Sequence, residues 1–212
     1  MRMVVLVVLW VGMVASLAQA AFIVENRSGG QNLANYYETG GWANSSGNVN
    51  APGCTPNIGC RYSGTTVYFG PTRQAVFKFT PDVTGPYDIS LAWTSTAGQK
   101  DTAVVLYTGV EHGGDLDPWG NAGPGDVIQR TTMDMYYVNY GIWNLAFDDV
   151  VLTAGTTYKV GIYGGHVSLN NTQDPSNRVT SGAAMFEFVP EPAALVLLGL
   201  GSLLMIGRRR RS

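Results

Sequence analysis

The sequence predicts an all-β protein: an antiparallel β-sandwich flanked by an N-terminal signal helix and a C-terminal transmembrane helix. Between the two ends, segments rich in Val, Thr, Tyr, Phe and Trp alternate in polarity or run apolar for about five to nine residues, and clusters of Gly, Pro, Asn and Asp separate them. No helical period recurs between the ends. Because parallel strands need long crossovers that are usually helical, this pattern favours two packed antiparallel sheets.

About nine or ten short strands are expected, at the spacing that an antiparallel sandwich requires. The segments that predict them lie at 22–25, 65–69, 74–80, 87–94, 103–108, 126–132, 142–147, 158–163 and 183–189. The clearest is 87–94, where Tyr87, Ile89, Leu91 and Trp93 alternate with smaller or polar residues. Long polar stretches at 44–63, 111–125 and 167–182 interrupt the pattern and are predicted to be loops.

The N-terminal segment 1–20 has the features of a secretory signal peptide. Arg2 provides a positive charge, 3–17 carries no charge, and Ala18-Gln19-Ala20 matches the small-x-small pattern that signal peptidase accepts. Cleavage there would start the mature chain at Ala21 and leave 21–188 as the folded domain. An uncleaved N-terminal anchor is the alternative.

The charge balance argues against a nucleic-acid partner. Residues 21–189 hold eight Lys and Arg against fourteen Asp and Glu, a net charge of about −6. Nucleic-acid binding needs clustered basic residues to neutralise phosphates, and this part of the sequence has no such cluster.

The two cysteines, Cys54 and Cys60, are separated by five residues that include Pro56 and Gly59, which can turn the chain back on itself. An exported chain enters an oxidising compartment, so a disulfide between them is predicted. A loop this short would contribute roughly 2 kcal/mol. A metal site would need further Cys or His ligands nearby, and the adjacent sequence holds none.

The C-terminal segment 189–212 has three parts in a fixed order. Pro190-Glu191-Pro192, after Val189, holds the backbone extended and denies it helix and sheet pairing. An uncharged stretch at 193–207 follows; as a helix its fifteen residues would reach about 22 Å, against a hydrocarbon core of about 30 Å. The last part is a basic cluster that favours the cytoplasmic side: Arg208, Arg209, Arg210 and Arg211.

This tail closely resembles the PEP-CTERM sorting signal. The resemblance implies recognition by an exosortase, a multispanning membrane protease, with cleavage at or near Pro190-Glu191-Pro192 and release of the domain to the cell envelope or its matrix. An ordinary tail anchor, whose Pro-Glu-Pro merely ends the preceding strand, is the alternative.

The central stretch resembles golvesin C-terminal-like domains. The resemblance rests on IVEN at 23–26, YETGGW at 37–42, GPYDISLAW at 85–93, WNL at 143–145 and LTAGTTYKV at 152–160. It implies a jelly-roll-like sandwich of carbohydrate-binding type. The cysteine loop and the insertion at 111–125 depart from the pattern, so the resemblance indicates the fold and leaves the ligand open.

One loop and one tryptophan are candidates for ligand binding. The acidic, Gly-rich loop 113–126 could offer oxygen ligands to calcium through Asp115, Asp117, Asn121 and Asp126, although its spacing is not that of an EF-hand and a solvated hairpin loop is the simpler interpretation. Trp119, beside Pro118 in the same polar loop, is the tryptophan most suited to exposure. We expect no other cofactor.

The remaining polar candidates do not favour catalysis. The only histidines, His112 and His166, lie beside glycines in predicted loops, and a catalytic histidine needs a positioned partner. Asp148-Asp149 follows a strand and is predicted to form a turn. A glycoside hydrolase needs two carboxyl groups across a sugar, whereas adjacent residues of a strand point to opposite faces.

The leading hypothesis is therefore a non-enzymatic protein that is exported, anchored transiently in the inner membrane with its domain on the periplasmic side, and then released. Its partners would be signal peptidase, an exosortase and the membrane. A module binding exopolysaccharide and a secreted hydrolase are the alternatives.

Overall fold

The computed structural model describes residues 21–63, 74–94, 102–109, 127–135, 139–163 and 179–190. This part of the chain is built almost entirely of β-strands, with one turn of 3-10 helix at Leu33–Asn35. The strands are β1 (Phe22–Glu25), β2 (Tyr36–Thr39), β3 (Trp42–Asn48), β4 (Gly59–Ser63), β5 (Gln74–Phe79), β6 (Gly85–Ala92), β7 (Thr102–Thr108), β8 (Val127–Met133), β9 (Asn144–Leu152), β10 (Tyr158–Tyr163), β11 (Thr180–Ser181) and β12 (Ala183–Phe188).

Every pairing between these strands is antiparallel, which confirms the predicted fold class. One sheet has the strand order β1-β12-β6-β9 and a second has the order β2-β5-β10-β7-β8. A third, small sheet has the order β11-β4-β3 and joins the first through Gly182, the residue between β11 and β12. The first two are called the four-stranded and the five-stranded sheet below.

The main core lies between these two sheets and is formed by alternate residues of their strands. Phe79 of β5 links the layers: its ring stacks on Phe186 of β12 at 4.6 Å between centroids and meets Tyr87 of β6 edge-on at 5.4 Å. Such pairs add to the stabilisation from area burial. The strand β6, with Tyr87, Ile89 and Leu91 buried in this core, has the alternation that the sequence predicted.

The prediction that 44–63 is a polar loop is wrong at both of its ends. Residues 44–48 belong to β3, and Gly59–Ser63 forms β4. The cysteine segment, residues 49–60, therefore connects two paired strands and ends within β4. Strand β3 is polar because it lies at the end of its sheet and Trp42 is its only buried residue. Backbone pairing, rather than an apolar alternation, specifies this strand. The sequence analysis also missed the short strands β2 and β11.

Strand β9 also differs from the prediction. It extends from Asn144 to Leu152 and passes through Asp148-Asp149, where a turn was expected. The register between β6 and β9 shifts here, and Asp149 has a φ of 51°, so the two aspartates form a β-bulge within a continuous strand.

Both predicted helices, the signal helix within 1–20 and the transmembrane helix within 191–212, lie outside the described residues. Within the ranges given above, no helix has the length and apolar character needed to cross a bilayer.

The position of Phe79 predicts a large loss of stability when its ring is removed. Phe79 is 4% exposed, and Phe79→Ala should lower the free energy of unfolding by about 3–5 kcal/mol, because both sheets lose contacts and a cavity remains. Chemical denaturation measures this. Val151 is 68% exposed, so Val151→Ala serves as the control and should change stability by less than about 0.5 kcal/mol. Equal losses in the two variants would contradict the assigned core.

Candidate functional site

The outer face of the five-stranded sheet carries a cluster of tyrosines. Tyr37 of β2, Tyr107 of β7 and Tyr163 of β10 belong to one cluster on this side, together with apolar residues that form its floor. The opposite side of the same strands supplies the main core. Because side chains alternate along a strand, these tyrosines necessarily point away from that core. They form a second, smaller core, since Tyr107 is 1% and Tyr163 3% exposed. This side of the sheet is called the tyrosine face below.

Gly161 lies at the middle of the tyrosine face, where it pairs with Val76 of β5 and Val105 of β7. A Cβ atom built on Gly161 would lie 3.4 Å from the ring of Tyr107 and 3.5 Å from the ring of Tyr163. These are ordinary van der Waals distances, so the two rings already pack closely around Gly161, which is itself buried.

Basic side chains border the tyrosine face. The ammonium of Lys78 lies 5.6 Å from the ring centroid of Tyr37, and that of Lys159 lies 5.8 Å from the ring of Tyr107. These are distances at which a cation is attracted to an aromatic ring. Arg130 of β8 pairs with Val105 and occupies the same side. All three side chains are only partly buried, in contrast to the floor beneath them.

The hydroxyl of Tyr163 is buried on this face without a hydrogen-bond partner in the described part of the chain. The residue is 3% exposed. Burial raises the pKa of Tyr163, nearby Tyr107 raises it further, and the charge of Arg130 opposes the rise. Arg130 Nε is likewise buried and unpartnered within the described ranges. Buried polar atoms without partners are costly.

A second polar cluster lies at the bulge in β9. Carboxylate oxygens of Asp88, Asp148 and Asp149 lie within 4.8 Å of one another, and the Asp149 N–H donates to Asp88 Oδ1 at 3.0 Å. Desolvation and the charges of its two neighbours raise the pKa of Asp148. Calcium takes about six to eight oxygen ligands, so three carboxylates, two of them fully exposed, do not by themselves make a metal site.

The cysteine segment is fixed by a buried carboxylate rather than by a disulfide. Glu25, which is fully buried, accepts hydrogen bonds from the Gln31 N–H at 2.6 Å, the Thr55 N–H at 2.8 Å and the Thr55 hydroxyl at 2.6 Å. The predicted disulfide is not present in the structure, where Cys54 and Cys60 are both free thiols.

The two thiols have different hydrogen-bond partners. The Cys54 thiol interacts with Glu25, whereas Cys60 is hydrogen-bonded to the backbone at Thr94. Burial raises the pKa of Cys54 to about 12, and the charge of Glu25 contributes. Burial also raises the pKa of Cys60 to about 12, with a smaller contribution from Cys54.

Only some of the site residues proposed from the sequence lie in the described part of the chain. Ala21 is partly buried and directly precedes β1. The N–H of Val189 donates to the carbonyl of Pro86 at 2.9 Å, and Pro190 is exposed. The other proposed residues lie outside the described part: Ala18, Ala20, Asp115, Asp117, Trp119, Asn121, Asp126, Glu191, Pro192, Arg208, Arg209, Arg210 and Arg211.

The sequence analysis missed the tyrosine face, although a signal was present. Strand 158–163 alternates two sets of side chains: Tyr158, Val160 and Ile162 in the core, and Lys159, Gly161 and Tyr163 on the other side. Strand β7 is buried on both sides, because Tyr107 packs in this second cluster.

Comparison with known proteins identifies the tail and the fold. Residues 188–211 match the family model of the PEP-CTERM protein-sorting motif. This motif implies an exported protein that is processed by an exosortase. No curated protein matches the chain.

Several solved structures match this chain at low sequence identity, and the first of them shares its fold. A Paenibacillus xanthan lyase is 19% identical with a TM-score of 0.53; the match covers 80% of this chain and only 13% of the lyase. The K1 cleaved adhesin domain of Lys-gingipain from Porphyromonas gingivalis is 13% identical with a TM-score of 0.37, covering 80% of this chain and 96% of that domain. A Podospora anserina GH26-CBM35 mannanase is 17% identical with a TM-score of 0.36, covering 74% of this chain and 28% of the mannanase.

The raised thiol pKa values predict slow alkylation of the reduced, folded protein. At pH 8 a thiol of pKa about 12 is a thiolate in roughly one molecule in ten thousand, so iodoacetamide should react on the order of a thousandfold more slowly than in denaturant. The rate should rise about tenfold per pH unit above pH 8. Mass spectrometry of Cys54→Ala and Cys60→Ala separates the two thiols. Equal rates in folded and denatured protein at pH 8 would contradict the assigned burial.

Proposed function

We propose that this chain is a bacterial cell-envelope or extracellular-matrix protein, exported by its signal peptide and sorted by an exosortase, with a non-catalytic β-sandwich as its surface domain. The observation that carries the proposal is the position of the sorting motif. The motif begins where the last strand ends, because β12 stops at Phe188 and the next backbone hydrogen bond, from Val189 to Pro86, closes the domain.

The exposure of Pro190 supports cleavage at this point. Proline has no N–H to donate to a sheet, and the residue lies in solvent directly after the domain. A protease needs a substrate segment whose backbone groups are not paired within a fold. The next residues in the sequence, Glu191 and Pro192, favour an extended backbone by their composition.

The relative position of the two ends supports the proposed topology. Strand β1 pairs antiparallel with β12, and Phe22 lies opposite Phe186. The start of the mature domain and the beginning of the tail are therefore neighbours on one sheet. Before processing, a signal segment and a tail anchored in the same bilayer could both connect to this one end of the domain.

The carboxylate cluster supports a non-catalytic domain. Glycoside hydrolysis needs two carboxyl groups on either side of a bound sugar. Asp88, Asp148 and Asp149 instead share one exposed position at the bulge of an outer strand. Catalysis by these residues would also require a cleft that positions a substrate.

Mass measurement of the protein from its native cells tests the sorting proposal. We expect a mature form that begins at Ala21 and ends near Pro190-Glu191-Pro192. Replacing Glu191 and Pro192 by Ala should leave the tail attached, whereas Glu187→Ala, an exposed change just before the motif, should be processed normally. A wild-type protein that keeps Arg208–Arg211 and stays embedded in the membrane would show a simple anchor instead.

A further inference from the structure

The end of the last strand is held to the sheet as far as Val189. The N–H of Val189 donates to the carbonyl of Pro86 at 2.9 Å. One residue earlier, the ring of Phe188 lies against the backbone of Gly85, where an added Cβ would come within 2.6 Å of the ring. The folded domain therefore extends to Val189, and the free length of chain begins at Pro190.

Little chain lies between the domain and the uncharged stretch that begins at Ala193. Three residues separate Val189 from that stretch, namely Pro190, Glu191 and Pro192. Even when fully extended, three residues span at most about 11 Å. The sorting proposal places the uncharged stretch in the bilayer. It therefore also places this end of the domain no more than about 11 Å from the membrane while the tail is attached.

A protease that cuts within these three residues has to enter the gap between the domain and the membrane. A single α-helix with its side chains is about 10–12 Å across. A gap of about 11 Å therefore admits one layer of a folded enzyme at most. The enzyme that reaches the Pro-Glu-Pro segment must touch the end of the folded domain.

Two turns form this end of the domain. The turn 80–84 leads into β6, whose first residue, Gly85, pairs with Leu152 at the end of β9. The turn 153–157 follows β9 and leads into β10. Because β6 lies between β12 and β9, the first turn is one strand spacing from the end of β12 and the second is two, which is about 10 Å. They are called the tail-side turns below.

Hydrogen bonds fasten the tail-side turns to each other. They run from the Gly155 N–H to the Pro81 carbonyl at 2.9 Å, from the Ala154 N–H to the Thr84 hydroxyl at 2.9 Å, and between the hydroxyls of Thr80 and Thr157 at 2.8 Å. These bonds hold the two turns in one shape. A surface with a fixed shape binds a partner without the entropy loss of ordering a loop.

The exposed surface of the tail-side turns is almost uncharged. Its exposed residues are Thr80, Asp82, Val83, Thr84, Thr153, Ala154, Gly155 and Thr157. Asp82 is the one charged residue in this set, and Val83, at 45% exposed, adds an apolar side chain. Charged residues are depleted at the centres of protein interfaces, so this surface suits contact with another protein.

We infer that the exosortase contacts the folded domain itself, on the tail-side turns, so that the domain and its tail together form the substrate. The Pro-Glu-Pro segment supplies the backbone to be cut, and the turns supply a neutral, preformed surface against which the enzyme docks. This inference rests on the sorting function proposed above and adds a second recognition surface to the motif.

Photocrosslinking in the native cells tests the contact, using the full-length chain. Val83 or Ala154 is replaced by p-benzoylphenylalanine, and the same replacement of Ile142 is the matched control, since Ile142 is 49% exposed and precedes β9 at its opposite end. We expect crosslinks to the exosortase from positions 83 and 154 and none from position 142. Replacement of Leu195, within the tail, reports whether the enzyme engages the chain at all.

The rate at which the tail is lost measures the consequence. Ala154→Arg places a bulky charge on the tail-side turns and should slow processing about tenfold, whereas Ile142→Arg should be processed at the wild-type rate. Twelve Gly and Ser residues inserted between Val189 and Pro190 lengthen the reach by about 20 Å. In that chain Ala154→Arg should have no effect, because the enzyme then cuts away from the turns.

Three results would overturn the inference. Crosslinks from position 195 without any from positions 83 and 154 would exclude the contact and leave sorting intact. Slowing by Ala154→Arg that persists in the lengthened chain would also exclude it, since the effect would not depend on distance. Retention of the tail in the wild type, without a crosslink at any position, would overturn the sorting proposal together with the inference.

Discussion

The antiparallel pairing of β1 with β12 determines how this domain relates to its two terminal segments. Phe22 lies opposite Phe186 and Glu25 lies opposite Ala183, so the chain begins and ends on adjacent strands. Glu25 then ties β1 to the segments that follow it, through the backbone of Gln31 and Thr55. A buried carboxylate is tolerated only when hydrogen bonds satisfy it. The arrangement therefore fixes the first strand firmly even though it is only four residues long.

Strand β10 contributes side chains to both sides of the five-stranded sheet. Its residues Tyr158, Val160 and Ile162 pack in the core between the sheets. The intervening Lys159, Gly161 and Tyr163 lie on the tyrosine face, where Gly161 and Tyr163 are buried and Lys159 is only partly so. A slip of one residue in the pairing would exchange the two sets and bury the lysine in the core. Apolar packing on both sides thus fixes the register of this strand.

The sequence predicted the architecture wherever apolar residues alternate with polar ones, as they do in β6. It failed at β3, because that strand is held by backbone pairing and by polar contacts such as Arg61 with Asn44. It also failed at Asp148-Asp149, where a bulge rather than a turn places both side chains near Asp88. Tertiary pairing, which no local pattern encodes, decides all of these positions. The tail was recognisable because its signal is linear and requires no fold.

The two sheets of the sandwich carry opposite charges on their outer faces. Asp88 lies opposite Glu187 on the four-stranded sheet, next to Asp148 and Asp149, whereas the three basic residues lie on the five-stranded sheet. The chain enters and leaves through the four-stranded sheet. Complementary charge favours basic partners on the layer that holds the termini and acidic partners on the other. Because the tail leaves from the acidic layer, the charge nearest to it is that of Asp88 and Glu187 rather than that of the basic residues.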